Sequence, residues 1–163
     1  MPGILRKIQG FFMERPPNFS MVTDFVAASG LPSTRKHIQY LRKIGVTAII
    51  SLTENPLPGK LLDGTDIKYF HFPLEDHQPA DPRKIHEIVK TLQKLVNERE
   101  KVLVHCLAGL GRTGMVLTAY VMAEEKNRWR ESLEKVRNLR PGSVEPNQEK
   151  TLEEFEKLVT PDF

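Results

Sequence analysis

The chain has 163 residues, with 24 lysines and arginines against 21 aspartates and glutamates, 39% apolar and 28% charged residues, and one cysteine. This describes one ordinary globular domain with a substantial core, and a net charge of +3 is too small for a nucleic-acid binder and leans only mildly toward acidic or phosphorylated partners. A lone cysteine excludes an internal disulfide framework and points to a reducing, cytoplasmic setting, and the sequence holds no apolar run of about 18 residues that would span a membrane.

At the N-terminus, apolar residues 4, 5, 8, 11 and 12 lie on one helical stripe. Residues 4–13 are therefore expected as a helix rather than a signal peptide, part of an extension over 1–15 ahead of a single domain over 16–163. Residues 19–22 and 25–28 read as short strands running into the turn Ser29-Gly30-Leu31-Pro32. Ser33 is the expected cap of a helix carrying Ile38, Leu41 and Ile44 on one face, closed by Gly45. The β-branched run 46–51 predicts a buried strand, 53–64 a loop, and 67–72 a further strand. After the loop 73–80, Asp81-Pro82 opens a helix striped by Ile85, Ile88, Val89, Leu92, Leu95 and Val96.

Residues 101–105 form the next strand. Residues 113–125 are apolar almost all round and predict the most buried helix. An amphipathic helix over 130–139 ends at Arg140-Pro141-Gly142, and a last one covers 147–159. The basic run Lys126, Arg128, Arg130, Lys135, Arg137 and Arg140, with Glu131 and Glu134 interleaved, reads as a solvated helix face. Strands alternating with helices predict an α/β domain with a central, mostly parallel four- to five-stranded sheet flanked by helices. Ligands bind at the carboxyl ends of strands in such sheets, where both the 73–80 loop and Cys106 lie.

The segment Val104-His105-Cys106-Leu107-Ala108-Gly109-Leu110-Gly111-Arg112-Thr113-Gly114 carries most of the chemistry. Glycines allow a tight loop, and a loop entering a helix N-terminus turns successive N–H groups inward as an anion nest. Residues 107 to 112 would thus bind a phosphate, with the Arg112 fork taking two oxygens. A thiol at a helix N-terminus beside a cation favours the thiolate, so Cys106 is expected as a nucleophile toward phosphorus.

His-Cys, five residues, then Arg-Thr matches the signature of the cysteine-based protein tyrosine phosphatases. With Pro16-Pro17-Asn18-Phe19-Ser20, Ser51-Leu52-Thr53-Glu54, Gly111-Arg112-Thr113-Gly114 and Arg140-Pro141-Gly142-Ser143, the chain resembles the small single-domain, VH1-like dual-specificity phosphatases. The resemblance implies that fold, hydrolysis of phosphotyrosine and of phosphoserine or phosphothreonine in proteins through a phosphocysteine, and no cofactor. It implies that Thr113 eases departure of the thiolate and that His105 organises the loop.

A leaving oxide needs a proton and the hydrolytic water must lose one, tasks that one carboxyl can share. Glu75, Asp76 and Asp81 are available. Asp76 is preferred because its spacing to Cys106 and Leu74-Glu75-Asp76 resemble the family's acid loop, with Glu75 a like charge that helps keep it protonated. Asp81 is assigned as a helix cap and Glu75 is the runner-up. Gln148 resembles a glutamine that relatives carry near the site; it either positions the water or simply opens the last helix. The scattered histidines show no metal spacing, so no metal is expected, and the protein is expected to act as a monomer.

Three alternatives stand beside this expectation. A phosphoinositide or RNA 5′-phosphate substrate is disfavoured because Leu107, Ala108 and Leu110 add no cation. A phosphopeptide-binding pseudophosphatase would lack Cys, Arg or Asp. The low-molecular-weight phosphatase type places its acid downstream of the loop, the opposite order.

Overall fold

The computed structural model describes residues 14–160; the helix expected over 4–13 lies outside them. The elements are β1 (Ser20–Met21), β2 (Val26–Ser29), α1 (Arg35–Lys43), β3 (Ala48–Ser51), α2 (Gly59–Leu62), β4 (Lys68–His71), α3 (Pro82–Asn97), β5 (Val102–His105), α4 (Gly111–Glu125), α5 (Trp129–Leu139), a 3-10 turn at Pro146–Gln148, and α6 (Glu149–Val159). They build one five-stranded sheet in the order β1-β2-β5-β3-β4. Only the β1–β2 pair is antiparallel.

The strands alternate in the side they bury. Val26, Ala28, Ala48, Ile50, Val102 and Val104 pack with residues of α3, α4, α5 and α6 on one face. Ala27, Ile49 and Leu103 face α1 and Leu57 on the other. A parallel sheet covered on both faces needs apolar residues at every strand position, which explains the unbroken Val/Ile/Leu/Ala runs. Helix α4 lies in the first of these layers, and most of its residues are fully buried.

The register matters for the site. Ser29, His105 and Ser51 stand side by side at the carboxyl ends of β2, β5 and β3, and His71 follows on β4. The loops leaving these four strands therefore converge above one edge of the sheet, at the place where ligands bind in open α/β sheets.

Several local expectations change. Thr34, not Ser33, caps α1, accepting a bond from the His37 amide. The loop 53–64 contains the single helical turn α2. The last helix opens through the 3-10 turn, where Glu145 and Gln148 form a reciprocal capping box. The basic run is not a uniform solvated face. The Arg137 guanidinium donates to Ser143 O and Val144 O at 2.9 Å each, and Arg140 is buried. Helical periodicity assigns a face relative to the helix alone. Here the chain after α5 folds back across that face and captures both arginines.

Candidate active site

The loop between β5 and α4 is held from outside by its carbonyls. The Cys106 carbonyl accepts from the His105 ring at 3.0 Å and Leu107 O from the Leu31 amide at 3.0 Å. Ala108 O accepts from Asn18 Nδ2 at 3.3 Å, Gly109 O from Arg140 Nη2 at 2.6 Å, and Leu110 O from the Gly114 and Val144 amides at 2.8 and 3.2 Å. In a trans peptide the N–H points opposite to the preceding C=O. Five carbonyls fixed outward therefore turn the amides of 107 to 111 inward around the thiol. The Gly109 amide already donates to Cys106 Sγ at 3.2 Å.

Gly109 has φ +79°, and a Cβ on it would meet Ser29 C at 2.5 Å. No side chain fits there without moving the β2 end. Gly111 is constrained from the other side, since its Cβ would lie 2.9 Å from Gln148 Oε1.

Arg112, in the first turn of α4, is 2% exposed. Its Nη1 donates to Glu54 Oε1 and to the Leu74 carbonyl at 3.1 Å each, and Nη2 lies 3.1 Å from Asp76 Oδ1. Its Nε and the Thr113 hydroxyl are buried without a protein partner. Such groups are seldom left unpaired, and at the end of an anion loop they are free to take a partner that the loop binds. Asp76 reaches Arg112 although β4 is two strands from β5. The 73–76 segment crosses the end of β3, tied by Phe72 N to Ser51 O at 2.9 Å and Leu74 N to Leu52 O at 3.0 Å.

His105 is fully buried between the Ser51 hydroxyl and the Cys106 carbonyl at 3.0 Å. A carbonyl can only accept, so Nδ1 carries the proton and Nε2 accepts from Ser51. Burial, with the Arg112 charge adding to it, pushes the ring down to about 4 from the usual 6.5. An unfolded chain binds a proton below pH 6.5 that the folded chain refuses. Stability from this group is complete above pH 6.5 and is lost as pH falls toward 4, by about 3 kcal/mol in total. Urea unfolding at pH 7 and 4.5 should show this loss in the wild type, and His105→Asn, which never titrates, should remove that part of it. An equal acid loss in both would refute the assignment.

The expected site residues thus sort as follows. Asp76 lies 3.1 Å from Arg112 Nη2, Cys106 Sγ accepts from the Gly109 amide within the same loop, and Thr113 follows Arg112 with its buried hydroxyl unpartnered. Asp81 caps α3, accepting from the Arg83 amide at 2.9 Å. Gln148 is buried against Gly111 with its amide committed, Oε1 to the Glu145 amide at 2.9 Å and Nε2 to Gln78 O at 3.3 Å.

Three participants, Ser51, Glu54 and Arg140, stood in the sequence only as members of segments that carry the resemblance, with no role assigned. Ser51 orients His105, and Glu54 pairs with Arg112; both follow from β3 lying beside β5. Arg140 is 3% exposed and binds Asn18 O at 2.9 Å, Ser20 Oγ at 2.5 Å and Gly109 O at 2.6 Å. Burial lowers its proton affinity while the nearby Cys106 charge works the other way. It joins the β1–β2 hairpin to the cysteine loop. An arginine ahead of Pro-Gly, at the end of a basic run, was the available signal. Among the described residues, no group of three or more His, Cys, Asp or Glu side chains is placed to hold a metal.

A parallel sheet with a cysteine-arginine anion loop at its carboxyl edge defines the cysteine-phosphatase fold. The family described as "Dual specificity phosphatase, catalytic domain" matches residues 31–158, and the chain belongs to it. It is 36% identical over 123 residues to dual specificity protein phosphatase 15 of Homo sapiens, covering 74% of this chain and 40% of that protein. It is 35% identical over 107 residues to inositol diphosphatase DSP5 of Arabidopsis thaliana, covering 63% of this chain and 52% of that protein. The chain therefore spans about half or less of these curated relatives. The crystal structure of Tk-PTP in the active form superposes with a TM-score of 0.79 at 29% identity, over 86% of this chain and 97% of that one.

Proposed function

We propose that the chain hydrolyses phosphomonoesters through a phosphocysteine, acting on phosphotyrosine and on phosphoserine or phosphothreonine in proteins or peptides. The observation that carries this is the capture of five loop carbonyls, which turns the amides that follow them away from those partners, with the Gly109 amide on Cys106 Sγ and the buried Arg112 at the loop's end. Cys106 Sγ attacks phosphorus as the bond to the leaving oxygen breaks. Arg112 and the 107–112 amides stabilise the equatorial oxygens, and Asp76 gives its proton to the leaving oxygen. Water then attacks phosphorus, the S–P bond breaks, and Asp76 takes the water's proton while Thr113 supports the departing thiolate. Gln148, with its amide bound to Gln78 and Glu145, acts by holding the acid loop against Gly111.

Residues 16–163 serve as a single catalytic domain, with 1–15 as an extension. A lone free thiol suits the reducing cytoplasm, and no helix among the described residues is long and apolar enough to cross a membrane. Every group this mechanism uses belongs to one chain, so the chemistry requires no second copy.

The likeness to an inositol diphosphatase favours a second reading, a non-protein phosphate ester. Against it, the side chains at 107, 108 and 110 carry no cation, and Glu54 and Asp76 already face Arg112, so a second phosphate would meet negative charge. The test is kcat/KM on matched phosphotyrosine, phosphothreonine and phosphoserine peptides and on an inositol pyrophosphate. The phosphotyrosine peptide should lead. A leading inositol pyrophosphate would give the site to the second reading.

A further inference from the structure

His77 has no role in the mechanism above, yet it sits in the acid loop in an unusual state. Its φ is +61°, a left-handed conformation that few residues other than glycine adopt. Its ring stands between two carboxylates, with Nδ1 2.6 Å from Glu145 Oε1 and Nε2 3.4 Å from Asp76 Oδ2. Its amide donates to Asp76 Oδ1 at 3.0 Å, and its carbonyl accepts from Asn147 Nδ2 at 2.7 Å. The next residue is tied as well, Gln78 O accepting from Gln148 Nε2 at 3.3 Å. Charges thus alternate along one line: Arg112, Asp76, His77 and Glu145. A left-handed residue other than glycine persists where surrounding contacts hold it.

We propose that His77 is a positioning residue for the general acid: its imidazole bridges Asp76 to Glu145 and latches the acid loop to the segment ahead of α6. This rests on Asp76 being the acid. When a phosphate takes the Arg112 fork, Asp76 must give up its bond to Nη2, and the contacts that then keep it over the leaving oxygen are those to His77. The charged groups facing the ring are Asp76 of its own loop, Glu145 of the segment after α5, and Arg112 of α4. The hydrogen bond to Glu145 and the charge of Asp76 outweigh Arg112 and raise the proton affinity of His77 above the ordinary histidine value. The charged latch is therefore complete below the ordinary histidine range, and it weakens only as pH rises through the raised value. The His77 side chain is 71% exposed, so solvent screens the pair and its effect is modest.

The test uses the full chain and two aryl phosphates. One has a weakly acidic phenol that needs a proton on leaving; the other has a strongly acidic fluorinated coumarin that needs none. His77→Gly keeps the φ > 0 backbone without strain and deletes the ring. It should lower kcat on the first ester by about fivefold and on the second by less than about twofold, with KM, vanadate affinity and Tm not reduced. His77→Asn, which also tolerates this conformation, should behave alike. The ratio of wild-type to glycine-variant kcat on the first ester should fall toward one as pH rises through the raised His77 value, which separates the latch from the titration of Asp76 common to both. Equal losses on both esters, no loss on either, or a loss that tracks a lower Tm would overturn the proposal.

A second measurement does not depend on turnover. In an NMR titration His77 should protonate above the ordinary histidine range and fall back in Glu145→Gln; an ordinary value in the wild type refutes the latch. A wild type inactive on both esters, with a raised His77 titration, would instead defeat the phosphatase reading.

Discussion

Cys106→Ser should turn over no aryl phosphate measurably, a fall on the order of 10⁴-fold or more, while still binding inorganic phosphate or vanadate. The two halves of this result come from different parts of the site. Turnover needs a strong nucleophile toward phosphorus, and a serine hydroxyl with no base beside it is a poor one. Binding needs the amide ring and the Arg112 fork. Those are fixed by the His105 ring, Leu31, Asn18, Arg140 and the Gly114 and Val144 amides, and none of these contacts uses the sulfur. Steady-state kinetics beside vanadate titration separates the two. Residual turnover above a few per cent would remove the phosphocysteine step, and lost binding would show that the thiol itself organises the loop.

Asp76→Ala should lower kcat by about 10² to 10³ on esters with poor leaving groups and abolish the dependence of rate on protonation of this residue. Vanadate binding should persist, because Arg112 keeps Glu54 and the Leu74 carbonyl. The neighbouring Glu75→Gln should change kcat by less than about twofold, since it is Asp76 that the 73–76 crossover places 3.1 Å from Arg112. Pre-steady-state and pH–rate measurements on both variants decide between them. Unchanged kinetics in Asp76→Ala, with a large loss in Glu75→Gln, would transfer the acid to Glu75. Because Asp76 also pairs with Arg112, Asp76→Asn is the control: it retains a polar contact but cannot give a proton.

The α/β alternation, the mostly parallel sheet and the burial of α4 were legible in the sequence, and so was the loop that joins Cys106 to Arg112. Each rests on a local regularity. A strand covered on both faces must be apolar throughout, as in Val102-Leu103-Val104. A central helix must lack a polar face, as in 115–122. A tight anion loop must carry glycine where φ is positive, as at Gly109. These constraints act over a few neighbouring residues, and they leave their mark in composition and spacing.

The parts that escaped depend on sequence separation. Glu54 meets Arg112 across 58 positions and Arg140 meets Gly109 across 31. Arg140 ends a run of basic residues, and its place ahead of Pro141-Gly142 was the one local hint that it differs from them. His77 and Glu145, 68 positions apart, look like ordinary loop residues until the acid loop is laid beside the turn before α6.

By itself, then, the sequence determined the kind of fold, and it pointed to the proposed nucleophile, the proposed phosphate loop and the strand end proposed to carry the acid. Only the tertiary structure decided the strand order that puts Ser51 of β3 and Glu54 just after it against the cysteine loop and Arg112, the buried arginine that holds the loop's Gly109 carbonyl, and the contacts that hold Asp76. The physical reason is that propensity, glycine conformation and apolar periodicity are properties of a short stretch of backbone. A buried charge or a bridging imidazole is stable only through partners that the complete packing brings to it.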